Sequence, residues 1–271
     1  MSDIDVSGRL AGKVAIVTGA GQAPGETIGN GKAIALLFAR AGAKVCCVDR
    51  AADRAAETVS QIEGEGGEAF AIAADITKAD EVEQIVSACV EHLGPVDILV
   101  NNVGIGGHGD APAHKLTEHA FDLIVDVNLK SAWLMIKAVL PIMRERKSGA
   151  IVNISSLAAI AGATQLAYEV TKSAMNRMTQ AVALNGAKHG VRCNAVLPGL
   201  MDTPMAIEGI AAALDVPTEV VREQRSKAVP MGHMGTAWDT AHATLFLSSD
   251  ESRFVSGELL RVDGAQGTRI G

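Results

Sequence analysis

Tyr168-Glu169-Val170-Thr171-Lys172 sets a phenol and an ammonium four residues apart, on one face of a helix that carries them. Tyr168 is the only tyrosine in the chain. A free phenol titrates near pH 10, too high for a base at neutral pH. A neighbouring cation favours the phenolate, and a positioned acid–base group contributes about 10²–10⁴-fold to a proton-coupled reaction. A packed ring at a helix start beside a solvated lysine has the same spelling, so the surroundings decide.

A second cluster lies near the N-terminus. The apolar run Val14–Thr18 enters Gly19-Ala20-Gly21-Gln22-Ala23-Pro24-Gly25-Glu26-Thr27-Ile28-Gly29-Asn30-Gly31, and a helical pattern follows at Lys32. Glycines between a strand and a helix let backbone amides approach a pyrophosphate at the positive helix end. Asp49 ends the second apolar run, eighteen residues after Gly31. That is close to the roughly twenty expected for a carboxylate on adenosine ribose hydroxyls. A carboxylate there repels a 2′-phosphate and favours NAD over NADP, while the adjoining Arg50 offers that phosphate a guanidinium.

The elements that must position these groups alternate from end to end. Strands are predicted at Val14–Thr18, Lys44–Val48, Ala69–Ala73, Val96–Val100, Ala150–Ile154, Val191–Val196 and Leu259–Val262. Several are apolar at nearly every position, as in a parallel sheet covered on both faces. Helical patterns run over Gly31–Ala41, Ala51–Glu63, Lys78–His92, Thr117–Arg146, Tyr168–His189 and Ala237–Ser248. Thr77 and Thr236 each precede an aspartate by three residues, a capping-box variant, and Gly42, Gly94 and Gly190 stand as C-terminal stops. No repeat or linker breaks the order. The expectation is one α/β domain over residues 1–271, a Rossmann-like doubly wound, seven-stranded parallel sheet with helices on both faces. Leu200–His233 departs from the pattern, being helical and Met-rich, and reads as a substrate lid over the carboxyl edge (about 200–233).

Composition narrows the partners. A net charge of −7 with no Lys/Arg block argues against a nucleic-acid backbone. No apolar run approaches the roughly 18 residues of a membrane span, and the polar N-terminus does not read as a signal peptide. Cys46, Cys47, Cys89 and Cys193 show no C-x-x-C spacing, and the histidines show no H-E-x-x-H. A cytoplasmic protein without a metal, its cysteines reduced in the core, is the expectation.

The chain as a whole resembles the single-domain branch of the short-chain dehydrogenase/reductase family. The motifs occur in order: Thr18-Gly19…Gly29-Asn30-Gly31, Asp75-Ile76, Asn101-Asn102-Val103-Gly104, Asn128, Asn153-Ile154-Ser155-Ser156, Tyr168–Lys172, Pro198-Gly199 and Val262-Asp263-Gly264. The resemblance implies Asn128, Ser156, Tyr168 and Lys172 as the catalytic set. Ser156 would steady the developing alkoxide, Asn128 would hold a water leading from Lys172 to solvent, and Lys172 would also grip the nicotinamide ribose. Cofactor contacts are implied at Gly19, Gly29, Gly31 and Asp49, with Asp75 on the adenine amino group and Ile76 beside the ring. Asn101, Asn102 and Gly104 would form the floor under the adenosine ribose, and Val196, Pro198, Gly199 and Thr203 would surround the carboxamide. Asp75 with Thr77 is equally a turn, and Thr203 before Pro204 equally a helix start.

Two departures from the family pattern matter. Gly29 follows Gly19 by ten residues rather than four, an insertion of six around Gln22–Thr27; loop extension is thermodynamically tolerable. Ser155 satisfies the usual thirteen-residue spacing to Tyr168, whereas Ser156 is twelve away. Strand register decides which way a side chain points, and the strand-end motif selects Ser156. The implied activity is NAD-dependent interconversion of a secondary alcohol and a ketone; an NADP-dependent carbonyl reductase and a catalytically silent NAD-binding regulator are the alternatives. Gly106–His114, Leu157–Gln165 and Leu200–Met231 would line an apolar pocket for a small, possibly cyclic alcohol or ketone. The family also implies a homotetramer through Thr117–Arg146, Tyr168–His189 and the last strand, with the Ala174, Met175, Met178, Ala181 stripe compatible with that or with core packing.

Overall fold

A computed structural model describes residues 4–162 and 165–268; positions 163–164 of the expected pocket lining, and the chain ends of the expected domain, lie outside the described residues. Seven parallel strands form one sheet: β1 (Val14–Thr18), β2 (Lys44–Asp49), β3 (Glu68–Ala73), β4 (Ile98–Asn101), β5 (Gly149–Ile154), β6 (Val191–Pro198) and β7 (Leu259–Val262). Their spatial order is β3-β2-β1-β4-β5-β6-β7. The chain therefore winds outward from β1 in both directions, and the loops after β1 and β4 part at the switch point, where open parallel sheets bind ligands.

Strand alternation supplies two cores. Ala15, Val17, Val45, Cys47, Val100 and Val152 face α1 (Asn30–Arg40), α2 (Ala52–Gly64) and α9 (Ala237–Ser248). Ile16, Cys46, Val48, Leu99 and Ile151 face α3 (Ala79–Leu93), α5 (Ser131–Arg146) and α6 (Leu166–Gly186). With both faces covered, β1 is buried at every position, which explains its uninterrupted apolar sequence. All four cysteines lie unpaired in this interior.

Two sequence-based expectations need correction. The predicted helix Thr117–Arg146 is interrupted: α4 (Glu118–Val125) and α5 are joined by a π-helical turn over Asp126–Lys130, which swings Asn128 inward. Single π turns inside α-helices often mark functional sites. Thr77 does not cap α3. Lys78 takes the N-cap position, and the Thr77 amide and hydroxyl donate instead to Asp75 Oδ1 at 3.0 and 2.7 Å. An aspartate side chain that bonds two residues ahead competes with the helix for the same groups. Of the stripe on α6, which suits an interface or a core, Met175 is fully buried and Met178 is partly buried against the core under α3 and α5. By contrast, the Asp239 carboxylate does accept from the Thr236 amide and hydroxyl at the start of α9, and Gly42, Gly94 and Gly190 all adopt positive φ after helices.

The segment after β6 carries a short parallel pair, Met201–Asp202 with Gly235–Thr236, then α7 (Pro204–Leu214) and α8 (Thr218–Ala228). Ile207, Ala211, Val221 and Met234 form a separate small core there. No helix among the described residues is long and apolar enough to cross a membrane.

Candidate active site

The carboxyl ends of β1, β4, β5 and β6 converge on one cleft. Strand parity decides what each end presents. On β5 and at the residue after it, Ile151, Asn153 and Ser155 point towards α6: Asn153 donates to Thr179 Oγ1 at 2.8 Å, and Ser155 Oγ donates to the Lys172 carbonyl at 3.2 Å. Ser155 is thus buried against the helix backbone. Ser156, one residue on, turns the other way. Its Oγ accepts from the Ala158 amide at 3.1 Å, and its hydroxyl lies near enough to the Tyr168 phenol to act on its pKa. Loop length, which favours Ser155 by count, has no bearing on that direction.

Tyr168 and Lys172 lie one turn apart on α6, with the ammonium 5.7 Å from the phenol ring centroid. Lys172 is 2% exposed, and its Nζ donates to the Ile154 carbonyl at 2.9 Å. Burial without a carboxylate partner lowers its pKa to about 8, because an interior of low polarity disfavours the charged form. For the Tyr168 phenol, desolvation outweighs the lowering effect of the nearby Ser156 hydroxyl, and its pKa is raised. Spacing alone has the nearby cation pull the phenol down; burial acts the other way and is the larger effect. Desolvation acts on both partners and pushes each towards its neutral form.

Asn128 has no exposed surface. Its Oδ1 accepts from the Ile105 amide at 2.7 Å, and its Nδ2 donates to the Ile105 carbonyl at 3.0 Å and to Thr171 Oγ1 at 3.3 Å. It therefore clamps the loop after β4 to the turn of α6 between Tyr168 and Lys172. Gly104 lies in this loop, where an added Cβ would stand 3.0 Å from Lys172 Nζ.

The glycine loop makes a cradle that fits a pyrophosphate. Gly19 has φ +65°, and a Cβ on Gly31 would overlap the Gly19 carbonyl oxygen at 1.9 Å, so only glycine permits the approach of α1 to the end of β1. No side chain caps α1 at Gly29, where a Cβ would meet open space. The first amides of α1 are left to an anion. Asn102 fixes the loop, its Nδ2 donating to the Thr18 and Gly19 carbonyls at 3.1 and 3.2 Å. Asp49 accepts from the Gly21 and Ala51 amides, both at 3.0 Å, which holds its carboxylate at the loop.

The inserted residues fold over without opening the cradle. Gln22 staples them from inside, donating to the Ala23 and Thr27 carbonyls and accepting from the Gly29 amide. Outside, they dock on α7 and α8: Glu26 pairs with Arg222 at 2.8 Å, its amide donates to Glu208 Oε1 at 3.0 Å, and Arg222 also reaches Asp202 at 3.3 Å. Sequence reasoning missed this junction, which links residues almost two hundred apart. The polar insert Gln22…Glu26 was its only signal.

Other expected positions are less direct. Asp75 lies in its turn with Thr77; burial raises its pKa, but the two Thr77 bonds, with Lys78 and Arg50 nearby, bring it below the ordinary value. Ile76 is packed in the core beside Val48 and Val82. Val196 is not brought to the cleft: it lies inside β6, fully buried, with its carbonyl taken by the Ser155 amide at 2.8 Å. Pro198 ends β6, and Gly199 packs so closely that a Cβ would stand 2.8 Å from Asp263. Thr203 is the N-cap of α7 but makes no side-chain cap bond.

Comparison with known proteins gives this geometry its context. The sequence model of a family described as enoyl-(acyl carrier protein) reductase matches residues 25–265. A 3-oxoacyl-[acyl-carrier-protein] reductase of Thermotoga maritima is 35% identical, covering 94% of this chain and 98% of the relative. A 2,5-dichloro-2,5-cyclohexadiene-1,4-diol dehydrogenase of Sphingobium indicum is 36% identical, with 96% and 98% covered. A crystal structure from Burkholderia xenovorans, assigned to the short-chain dehydrogenases/reductases, superimposes with a TM-score of 0.91 at 42% identity, covering 98% of this chain and 100% of its own. With sequence relatedness and fold in agreement over nearly the full length, this chain belongs to the short-chain dehydrogenase/reductase family of nicotinamide-dependent oxidoreductases.

Proposed function

We propose that the protein is an NAD-dependent dehydrogenase/reductase that interconverts a small secondary alcohol and a ketone, with Tyr168 as the acid–base group. The observation that carries this reading is the set at the cleft floor: the Lys172 ammonium 5.7 Å from the Tyr168 ring, with the Ser156 hydroxyl beside the same phenol. The nicotinamide ring, when bound, supplies or accepts the hydride. Tyr168 moves the proton at the substrate oxygen, and the Ser156 hydroxyl steadies charge on that oxygen. The phenol, its pKa raised by burial, holds its proton at neutral pH and is set to donate it to a carbonyl. Oxidation runs the same proton path backwards and is favoured by alkaline pH. Lys172 positions the ribose, and Asn128 keeps the loop after β4 at the distance both groups need.

NAD is favoured over NADP because Asp49 is held at the loop by two amides, where its charge repels a 2′-phosphate. The substrate is an apolar, possibly cyclic alcohol or ketone; the relative that dehydrogenates a cyclohexadiene-diol supports this, as do exposed apolar Ile160 and Met205 on the segments that would line the pocket. The segment 200–233 serves as the lid of a single domain. Exposed Phe121, Leu123 and Trp133 on α4 and α5, with Leu184 on α6, supply apolar surface for a homotetramer.

A panel of cyclic secondary alcohols and ketones, followed at the NADH absorbance, tests the activity. Turnover is expected with NAD and is lost in Tyr168→Phe while dinucleotide affinity stays within about twofold. A Tyr168→Phe protein that still turns over overturns the assignment of the base, and a dinucleotide that binds without any turnover favours a silent regulator.

A further inference from the structure

We propose that Asp110 is a positioning residue for Tyr168, a carboxylate lent by the loop after β4 to fix the first turn of α6. The catalytic relevance of this rests on Tyr168 being the acid–base group; the geometry does not. The first amides of a helix have no partners within it. The N-cap of α6 is Gln165, whose side chain makes no cap bond. Asp110, nearly sixty residues earlier in the chain, supplies the cap instead: Oδ1 accepts from the Ala167 amide at 3.0 Å, and Oδ2 from the Tyr168 amide at 2.9 Å. Negative charge is favoured at a helix N-terminus. Two oxygens on two successive amides also fix the orientation of that turn, and one of those amides belongs to Tyr168 itself.

The loop is shaped to make this delivery. Gly107, His108 and Gly109 all have left-handed backbones, with φ of +74°, +51° and +85°, and the Asp110 amide closes the turn on the Gly107 carbonyl at 2.8 Å. A non-glycine residue in that region persists where its surroundings over-determine it. The same loop runs along the ring, since a Cβ on Gly106 would stand 3.8 Å from Tyr168 Cδ2. At its start, Ile105 is held on both backbone groups by Asn128. The mouth loop is thus pinned at one end to the turn that carries Asn128 and at the other to the residue that carries the phenol. A misplacement of about 1 Å at a reacting group costs about 10²-fold in rate, so this cap sets how often the phenol is in line with its substrate.

Tyr168 being the only tyrosine allows a direct test. Protein labelled with 3-fluorotyrosine has one ¹⁹F resonance that reports this ring, with no substrate required. Asp110→Ala is expected to shift or broaden that resonance at pH 8. In unlabelled protein, the phenol's alkaline absorbance titration is expected to move down towards the free value near 10. Asp110→Asn keeps one carbonyl acceptor and is expected to recover a single resonance near the parent position. Asp122→Ala, an exposed carboxylate on α4, serves as the control and should leave the spectrum unchanged. Where a turnover assay exists, Asp110→Ala lowers kcat about tenfold or more, with KM for NAD within about twofold, and adds nothing in a Tyr168→Phe background. An unaltered resonance and titration in Asp110→Ala would overturn the proposal, as would the same change in Asp122→Ala. Retained turnover in Tyr168→Phe would instead overturn the acid–base reading and leave the spectroscopic result standing.

Discussion

Replacing Lys172 by methionine should make the protein more stable at neutral pH while destroying its activity. Lys172 is 2% exposed, and burial lowers its pKa from 10.5 to about 8. At pH 7 the folded state therefore carries a charge that the unfolded chain holds more comfortably. A shift of this size corresponds to roughly 3 kcal/mol, at 1.36 kcal/mol for each pKa unit. The sign follows from proton counting. Between about 8 and 10.5 the unfolded chain binds a proton that the folded protein lacks, so stability rises with pH across that window and the cost fades above it. Methionine has a similar stem and no charge. Its substitution leaves the Ile154 carbonyl without the donor it has at 2.9 Å, which returns about 1 kcal/mol. The net gain at pH 7 is about 2 kcal/mol, or about 4–8 °C in Tm for a domain of this size class. Thermal unfolding of the two proteins without dinucleotide, at pH 7 and pH 10, measures it. The gain should be present at pH 7 and nearly gone at pH 10. A variant that melts lower at pH 7, or an offset equal at both pH values, refutes the reasoning that the ammonium is held at the cleft against its own solvation.

Further outcomes follow from the same geometry. Ser156→Ala should lower turnover by about 10–10³-fold through the lost contact to the substrate oxygen, whereas Ser155→Ala should cost about 1 kcal/mol of stability through its bond to the Lys172 carbonyl and spare turnover; steady-state kinetics and melts on both variants separate the two, and the reverse pattern refutes the parity argument. Asp49→Ala should raise the NADP-to-NAD ratio of kcat/KM by about tenfold or more, since removal of a like charge near a phosphate is worth more than one pKa-unit equivalent; an unchanged ratio removes Asp49 from that role. Arg222→Ala should release the inserted loop from α8, and stopped-flow fluorescence should then show NADH leaving several-fold faster, because loop ordering contributes to residence; an unaltered dissociation rate dissociates the insertion from cofactor retention.

Local pattern governs the features that were legible in the residues alone. Runs such as Val14–Thr18 are apolar at nearly every position because both faces of β1 are covered, and that signature needs no tertiary knowledge. Spacing on α6 put Tyr168 and Lys172 on one face, and the alternation of strands and helices gave the sheet. The break in Thr117–Arg146 escaped notice because a π turn inserts one extra residue without altering composition. Tertiary structure alone decided the rest. The bond of Ser155 to the Lys172 carbonyl depends on how the end of β5 packs against α6. Asp110 and Arg222 act across long sequence separations, where no periodicity connects donor to acceptor. The direction of the Tyr168 shift is set by burial rather than by the neighbouring ammonium, because Coulomb attraction can be read from spacing, whereas desolvation depends on everything that packs around the pair.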